Sequence, residues 1–278
     1  MIIERIDSHQ HFWNYHPSQQ VWIKDDMPEL KKDFSPQDLE IELKKFNFNG
    51  CIAVQANQAE EENEYLLELA INSFFIKGIV GWVDLESSII NERLTYYKQF
   101  EKIKGFRHVI HDEPDIDFML RPAFLNGIKE LKKFNFTYDL LVYSIHLPNT
   151  IELIKKNSEQ LFVIDHIAKP NIKNKEFDYW KQQLTKVAAF PNVYCKVSGL
   201  VTEANWHQWK NEDFTIYLNT VVELFGTNRI MFGSDWPVCE LSASYDDMFG
   251  IVNNYFSTFS KDEQDNFYGL NAKRFYKL

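Results

Sequence analysis

Cysteine is scarce in this sequence. Cys51, Cys195 and Cys239 are its only three, they are widely spaced, and no CxxC occurs, so neither a disulfide framework nor a zinc knuckle is indicated. Cys51 and Cys195 lie in apolar runs, where a thiol acts as a small core hydrophobe, and a reducing compartment is expected. No apolar stretch reaches the roughly 20 residues of a transmembrane helix. The opening MIIERIDSHQHFW lacks the basic start and apolar run of a secretory signal, so a cytoplasmic setting is expected. Surplus positive charge is also missing: 30 Lys and Arg face 40 Asp and Glu, a net charge of −10. Binding to nucleic acid or to an anionic membrane depends on basic surface, so neither partner is expected. A small anionic substrate needs only local positive charge and stays open. GxGxxG, GxxxxGK[ST] and GxSxG are all absent, which disfavours a dinucleotide fold, a P-loop and a serine-hydrolase elbow.

What is present is an alternation. Runs rich in β-branched and aromatic residues occur at 2–9, 50–56, 76–85, 104–110, 136–142, 161–168, 192–200 and 229–237. Between them lie segments with helical spacing, such as 60–73, 117–134, 176–190 and 212–225. Strands alternating with helices imply a parallel sheet with crossover helices. Eight such units in 278 residues specify an α/β fold of the (β/α)8 TIM-barrel type. An open doubly wound sheet competes, but it would favour a Gly-rich turn. No linker or repeat divides the chain, so one barrel domain over 1–278 is expected. The segment Asn14–Lys45, with Trp22, Pro28 and Pro36, reads as an elaborated first βα loop at the barrel mouth.

Polar residues gather near the C-terminal end of each run, and in a barrel those ends open onto the catalytic face. Period-two alternation gives an inward set of His9, His11, Arg107, His166, Lys196 and Asp235, with Asp235 its only carboxylate. In the sixth run it puts Phe162, Ile164 and His166 on one face and Val163, Asp165 and Ile167 on the other. A lone histidine at a strand end is more often a structural hydrogen-bonder than a ligand, and His16, His146 and His207 are read that way. His9-X-His11 projects two imidazoles together, as a metal site requires. Arg107 or Lys196 alone could pair with a helix, and Asp235 alone could cap a turn; on one face together they point to a site. Trp13, Trp82 and Trp236 beside the strand ends suit either packing or the apolar face of a sugar-like ligand.

IDSHQHFW, GWVDL, GFRHVIHDEPD, FVIDHIAKP, YCKVSGL and MFGSDWPVC, in this order, resemble the amidohydrolase superfamily. More narrowly they resemble its sugar-lactonase group, the L-fuconolactonase and L-rhamnonolactonase-like hydrolases. The resemblance runs from Ile6 to Tyr276, and DHIAKP and GSDWPVC are its most specific segments. It implies a (β/α)8 barrel. It also implies metal or substrate roles for His9 and His11, a matching sixth-strand His166, and a water-activating Asp235. Arg107 and Lys196 fall in segments that face substrate, and His108, Trp13, Trp82 and Trp236 complete the expected substrate-binding set. One departure stands out. Strand five reads Tyr138-Asp139-Leu140-Leu141-Val142, without the usual ligand, and strand four offers Arg107 rather than a bridging lysine. This argues against a binuclear centre. A single divalent ion on His9, His11, Asp235 and His166, zinc before others, is the expected cofactor, and turnover need not require it.

The implied function is hydrolysis of a sugar-acid lactone, an aldono-1,5- or 1,4-lactone of the L-fuconolactone kind, with Asp235 as general base and Arg107, His166 and Lys196 assisting. Two rivals accompany it: a metal-dependent decarboxylase of an aromatic or unsaturated acid, which normally needs the absent strand-five histidine, and a non-catalytic sugar-acid binding protein. The expected partner is the small-molecule lactone, and the sequence is compatible with a homo-oligomer.

Overall fold

The strands β1 (Ile6–Gln10), β2 (Gly50–Val54), β3 (Ile76–Gly81), β4 (Ile103–His108), β5 (Thr137–Leu140), β6 (Phe162–Ile164), β7 (Val193–Val197) and β8 (Ile230–Phe232) form one sheet in sequence order. Each neighbouring pair is parallel. The computed structural model describes residues 3–278. Met1 and Ile2, where the first expected run and the expected 1–278 unit begin, lie outside the described residues. β8 returns to β1 through hydrogen bonds of Ser8 Oγ to the Phe232 carbonyl (2.6 Å) and of the Asp235 amide to the His9 carbonyl (2.8 Å). A parallel bridge also joins Gln10 to Trp236. This is the (β/α)8 barrel that the alternation implied.

Outer helices include α1 (Pro36–Lys45), α2 (Glu60–Asn72), α3 (Ile90–Tyr97), α4 (Pro122–Lys133), α5 (Leu147–Lys156), α6 (Asp178–Ala188), α7 (Asn211–Phe225) and α8 (Tyr245–Phe256). Local chemistry sets where they begin. In α1, Pro36 occupies the first turn and the Ser35 amide donates to Asp38 Oδ2 (2.9 Å), closing a capping box. The elaborated first loop is therefore shorter than 14–45, because its last third is α1. The loop proper packs on itself: Trp13 and Phe34 exchange backbone hydrogen bonds, and their rings lie 5.0 Å apart.

Two cores result. Between strands and helices lie Cys51, Ala53, Phe162, Ile164, Cys195 and Val197. Inside the barrel Ile6, Ile52, Val54, Val80, Val163 and Met231 meet Ala272, Phe275 and Tyr276. The last three come from α10 (Asn271–Tyr276), which follows α9 (Lys261–Asp265) and stops the barrel floor. Each such buried aliphatic side chain contributes about 1.5–3 kcal/mol relative to exposure. The three cysteines are free and buried. Among the described residues no helix is long and apolar enough to cross a membrane.

Candidate active site

Above the inner core the strand ends turn polar. A register shift between Asp7 and Gln10 puts His9 and His11 on the barrel interior above Ile6. Asp235 follows β8 in a left-handed conformation (φ 58°). Its amide is spent on the His9 carbonyl, and its own carbonyl accepts from the Cys239 amide (2.9 Å). The chain is thus bent so that the carboxylate points back at β1. Asp235 Oδ1 lies 3.8 Å from His9 Nε2, 3.5 Å from His11 Nε2 and 3.8 Å from His166 Nε2. The His9 ring meets His11 and His166 edge-on, at 5.0 and 4.4 Å. Two glycines allow this crowding. A β-carbon on Gly233 would stand 2.7 Å from that of His9, and one on Gly199 would stand 2.7 Å from the His166 ring.

His166 reaches the site by a route that alternation does not foresee. In β6 the inward residue is Val163, so the regular continuation inward is Asp165, and the face assignment made from period two is reversed. β6 ends at Ile164. His166, Ile167, Ala168 and Lys169 then all take positive φ, between 43° and 62°. A left-handed turn of four non-glycine residues costs about 1–2 kcal/mol per residue. Here the Lys169 amide bonds the His166 carbonyl (2.8 Å) and the Trp180 indole bonds the Ile167 carbonyl (2.7 Å). The turn brings Asp165 and His166 to the same space.

Asp165 belongs to a column of buried charge beneath the histidines. Arg107 Nη1 donates to Asp165 Oδ2 (3.1 Å), and its other nitrogens hold the Gln55 carbonyl (2.6 Å) and side-chain oxygen (2.8 Å). Lys196 Nζ lies 3.0 Å from Asp165 Oδ1 and 2.5 Å from Asp139 Oδ2. Tyr276 Oη donates to the same Asp139 oxygen (2.8 Å). Two sequence expectations change. Asp235 is not the only inward carboxylate, since Asp139 and Asp165 also face in. Lys196 does not face the mouth; it is fully buried one layer down, under His9. Sequence reasoning also passed over Gln55. The available signals were its place at the end of β2 and, for Asp139, a carboxylate in the middle of an apolar strand.

The aromatic candidates divide. Trp13 is buried against Trp22 and Phe34, with its indole N–H on the Lys32 carbonyl (2.9 Å). Trp236 is buried, with its N–H on Glu240 (2.9 Å). Both therefore pack rather than present a face. Trp82 is half-buried and donates to His108 Nδ1 (3.3 Å). His108 stacks on Phe118 at 4.7 Å and bonds Glu113 (2.7 Å), away from the three clustered histidines. Outside the cluster, the His16 ring meets Ser18, the His146 ring accepts from the Tyr143 amide, and the His207 amide donates to Ser242 Oγ.

The environment fixes protonation. Burial, reinforced by the Lys196 charge, pushes His9 well below the usual imidazole range, and burial with His9 alongside does the same to His166. Both rings are neutral at pH 7. Burial would raise Asp165, but the charges of Lys196 and Arg107, with a hydrogen bond from the His9 ring, outweigh it and hold the carboxyl well below its ordinary value. Burial pushes Asp139 up to about 6 against the pull of Lys196. Donor-only cations stand at both His9 ring nitrogens, Arg107 Nη1 3.2 Å from Nε2 and Lys196 Nζ 3.0 Å from Nδ1, and a neutral imidazole has one lone pair to offer between them. His11 Nδ1 donates to the Val54 carbonyl (2.8 Å), turning Nε2 toward Asp235.

These donors fit one divalent cation. His9, His11 and Asp235 bring ligand atoms within 4.8 Å of one another, as do His9, Asp165 and His166. Tetrahedral zinc with bonds of about 2.0–2.1 Å separates its ligand atoms by about 3.3–3.4 Å. The 3.5–3.8 Å separations around Asp235 need only a small contraction. The backbone carbonyl behind His11 is the support that metal-binding imidazoles use. His9 fits less freely, because the Arg107 guanidinium stands 3.2 Å from its Nε2 and would face the cation.

The amidohydrolase family model matches residues 6–278. An L-fucono-1,5-lactonase of Burkholderia multivorans is 37% identical over 99% of this chain and 96% of its own length. One from Burkholderia ambifaria is 34% identical over 87% of this chain and 83% of its own. A crystal structure of a B. multivorans amidohydrolase with bound zinc has a TM-score of 0.95, with 36% identity and 99% of each chain covered.

Proposed function

This chain belongs to the amidohydrolase family, and on that premise we propose that it hydrolyses a sugar-acid lactone, an aldono-1,5- or 1,4-lactone of the L-fuconolactone kind, with Asp235 as the general base. The observation that carries the reading is the convergence of three imidazoles on Asp235 Oδ1, within 3.8 Å, with all four side chains buried at the strand ends. His9 and His166 are held neutral and are poor proton acceptors. Asp235 is the carboxylate not committed to a cation of the column, so it takes the proton of the attacking water. The carbonyl carbon becomes tetrahedral. Its oxygen gains negative charge beside the Arg107 guanidinium, whose planar donors Asp165 and Gln55 hold in place. When the ring C–O bond breaks, Asp235 returns the proton to the leaving oxygen. A divalent ion, zinc before others, held by His9, His11 and Asp235 with His166 beside them, would supply Lewis-acid polarisation of the carbonyl or water. The relatives' activity on fuconolactone supports the substrate class.

The test is a pH-indicator screen of aldonolactones, run before and after chelation. Release of one acid equivalent per lactone is the expected result. Carbon dioxide release from aromatic acids with intact lactones would overturn the reading, as would ligand binding with no turnover anywhere in the panel.

A further inference from the structure

The left-handed turn that delivers His166 ends on Lys169, a residue the reaction above leaves unused. Its side chain is only 14% exposed. The ammonium pairs with Glu203, from the loop after β7, whose side chain is 17% exposed. It also lies 5.8 Å from the centroid of the Tyr143 ring, from the loop after β5. That ring is 37% exposed, and it leans on His111 from the loop after β4, with centroids 4.7 Å apart. Consecutive loops thus build one wall of the mouth. Glu203 is anchored by its backbone carbonyl, which accepts from the Lys173 amide (2.9 Å) on the loop that carries Lys169. The wall borders the histidine cluster: Lys169 is three residues after His166 in the same turn, its charge helps to lower His166, and the Asp235 charge acts on it in turn.

The pair is partly exposed, and its hydrogen-bonding capacity is not spent within the protein. An ammonium has three N–H donors and a carboxylate accepts at both oxygens. Among the described residues Lys169 and Glu203 have side-chain partners only in each other. None of these atoms is among the buried polar atoms without a partner, so the remaining donors and the second carboxylate oxygen stay accessible. Desolvating an ion pair is costly unless such valences are satisfied. A ring hydroxyl is both donor and acceptor, so neighbouring hydroxyls match a lysine–glutamate pair. The ring's C–H face matches an aromatic wall.

We propose that Lys169 and Glu203 read the ring hydroxyls of the substrate, with Tyr143 against its C–H face, and so select polyhydroxylated lactones over plain ones. The proposal rests on the lactone-hydrolase reading and adds the groups that set its specificity.

The test uses two readouts on wild type, Lys169→Met and Glu203→Gln. The first is calorimetric binding of a hydroxylated aldono-1,5-lactam, a probe without the cleavable ester, beside unsubstituted δ-valerolactam. The second is kcat and KM for the matching lactones. Each variant should weaken the hydroxylated lactam by roughly 10-fold or more, the size of one charge-assisted hydrogen bond. The loss should appear in KM for the hydroxylated lactone and leave kcat/KM for δ-valerolactone unchanged. Glu203→Gln keeps shape and polarity, so it separates recognition from folding. Wild-type affinity for the hydroxylated lactam in both variants overturns the proposal, and so does an equal loss on both lactams. If wild type binds the hydroxylated lactam and Lys169→Met does not, yet no lactone is hydrolysed, recognition stands and the hydrolase reading falls.

Discussion

Lys196→Met would remove one of two cations from a buried group of four charges. Lys196 Nζ is 2.5 Å from Asp139 and 3.0 Å from Asp165, and all three side chains are fully buried. Methionine keeps most of the volume, so the change is electrostatic rather than a cavity. Taking one partner from a buried ion pair costs about 3–5 kcal/mol, because the other charge stays behind without compensation. With a urea m-value of about 3 kcal/mol/M for a chain of this size, the unfolding midpoint should fall by about 1–1.7 M at pH 8. The loss should depend on pH, with a definite sign. Asp139 already titrates near 6 because it is buried, and losing Lys196 raises it further. A carboxyl whose folded pKa exceeds its unfolded value makes the fold lose stability as pH rises between the two. The variant's deficit should therefore shrink as pH falls toward 5. Adding Asp139→Asn rebalances the column as Arg107 with Asp165, and should recover at least ~2 kcal/mol. Tryptophan fluorescence in urea at both pH values gives all of these quantities. A deficit below about 1 kcal/mol, a deficit equal at both pH values, or strict additivity of the two substitutions would refute the column as a coupled electrostatic unit.

Other outcomes follow from the same geometry. Asp235→Asn should keep the fold and lower kcat by at least ~10²-fold, and near-wild-type turnover would remove Asp235 from the chemistry. Arg107→Lys should not restore activity, because a single ammonium cannot hold Asp165 and Gln55 and still present a planar donor; full activity in that variant would mean that charge alone suffices. Elemental analysis should find at most one metal equivalent per chain, and two tightly held ions would contradict the site. His9→Ala with His11→Ala should lower kcat/KM even where chelated wild type stays active, which a double variant of undiminished activity would disprove.

Much of the architecture was legible in the sequence because barrel strands announce themselves. The run GCIAV is β-branched or small on both faces, as suits a strand buried on both sides. The nearness of His9, His11, Arg107 and Asp235 agrees with strand ends sharing one face, whereas His166 joins them through its left-handed turn. The error in β6 had a physical source. Alternation holds only while the backbone stays extended, and the chain leaves that conformation at Asp165. Nothing local in Ile167, a β-branched residue at φ 49°, signals a left-handed turn. Lys196 shows a second limit. Parity places a side chain inside the barrel but does not say at what height, and height separates a group that meets a ligand from one that supports a histidine. Lys169 and Glu203 lie on different loops, and loop contacts have no period to read.

The floor of the barrel has a consequence for how the enzyme comes into being. Tyr276 bonds Asp139 across 137 residues of chain. With Phe275 and Ala272, it also closes the apolar interior beneath the charged column. A nascent chain that has released β8 but not yet residue 276 has every strand and every catalytic candidate in hand. Its interior is still open to water from below, and Asp139 still lacks its phenol. Assembly of the catalytic end therefore waits on a segment at the opposite end of the molecule.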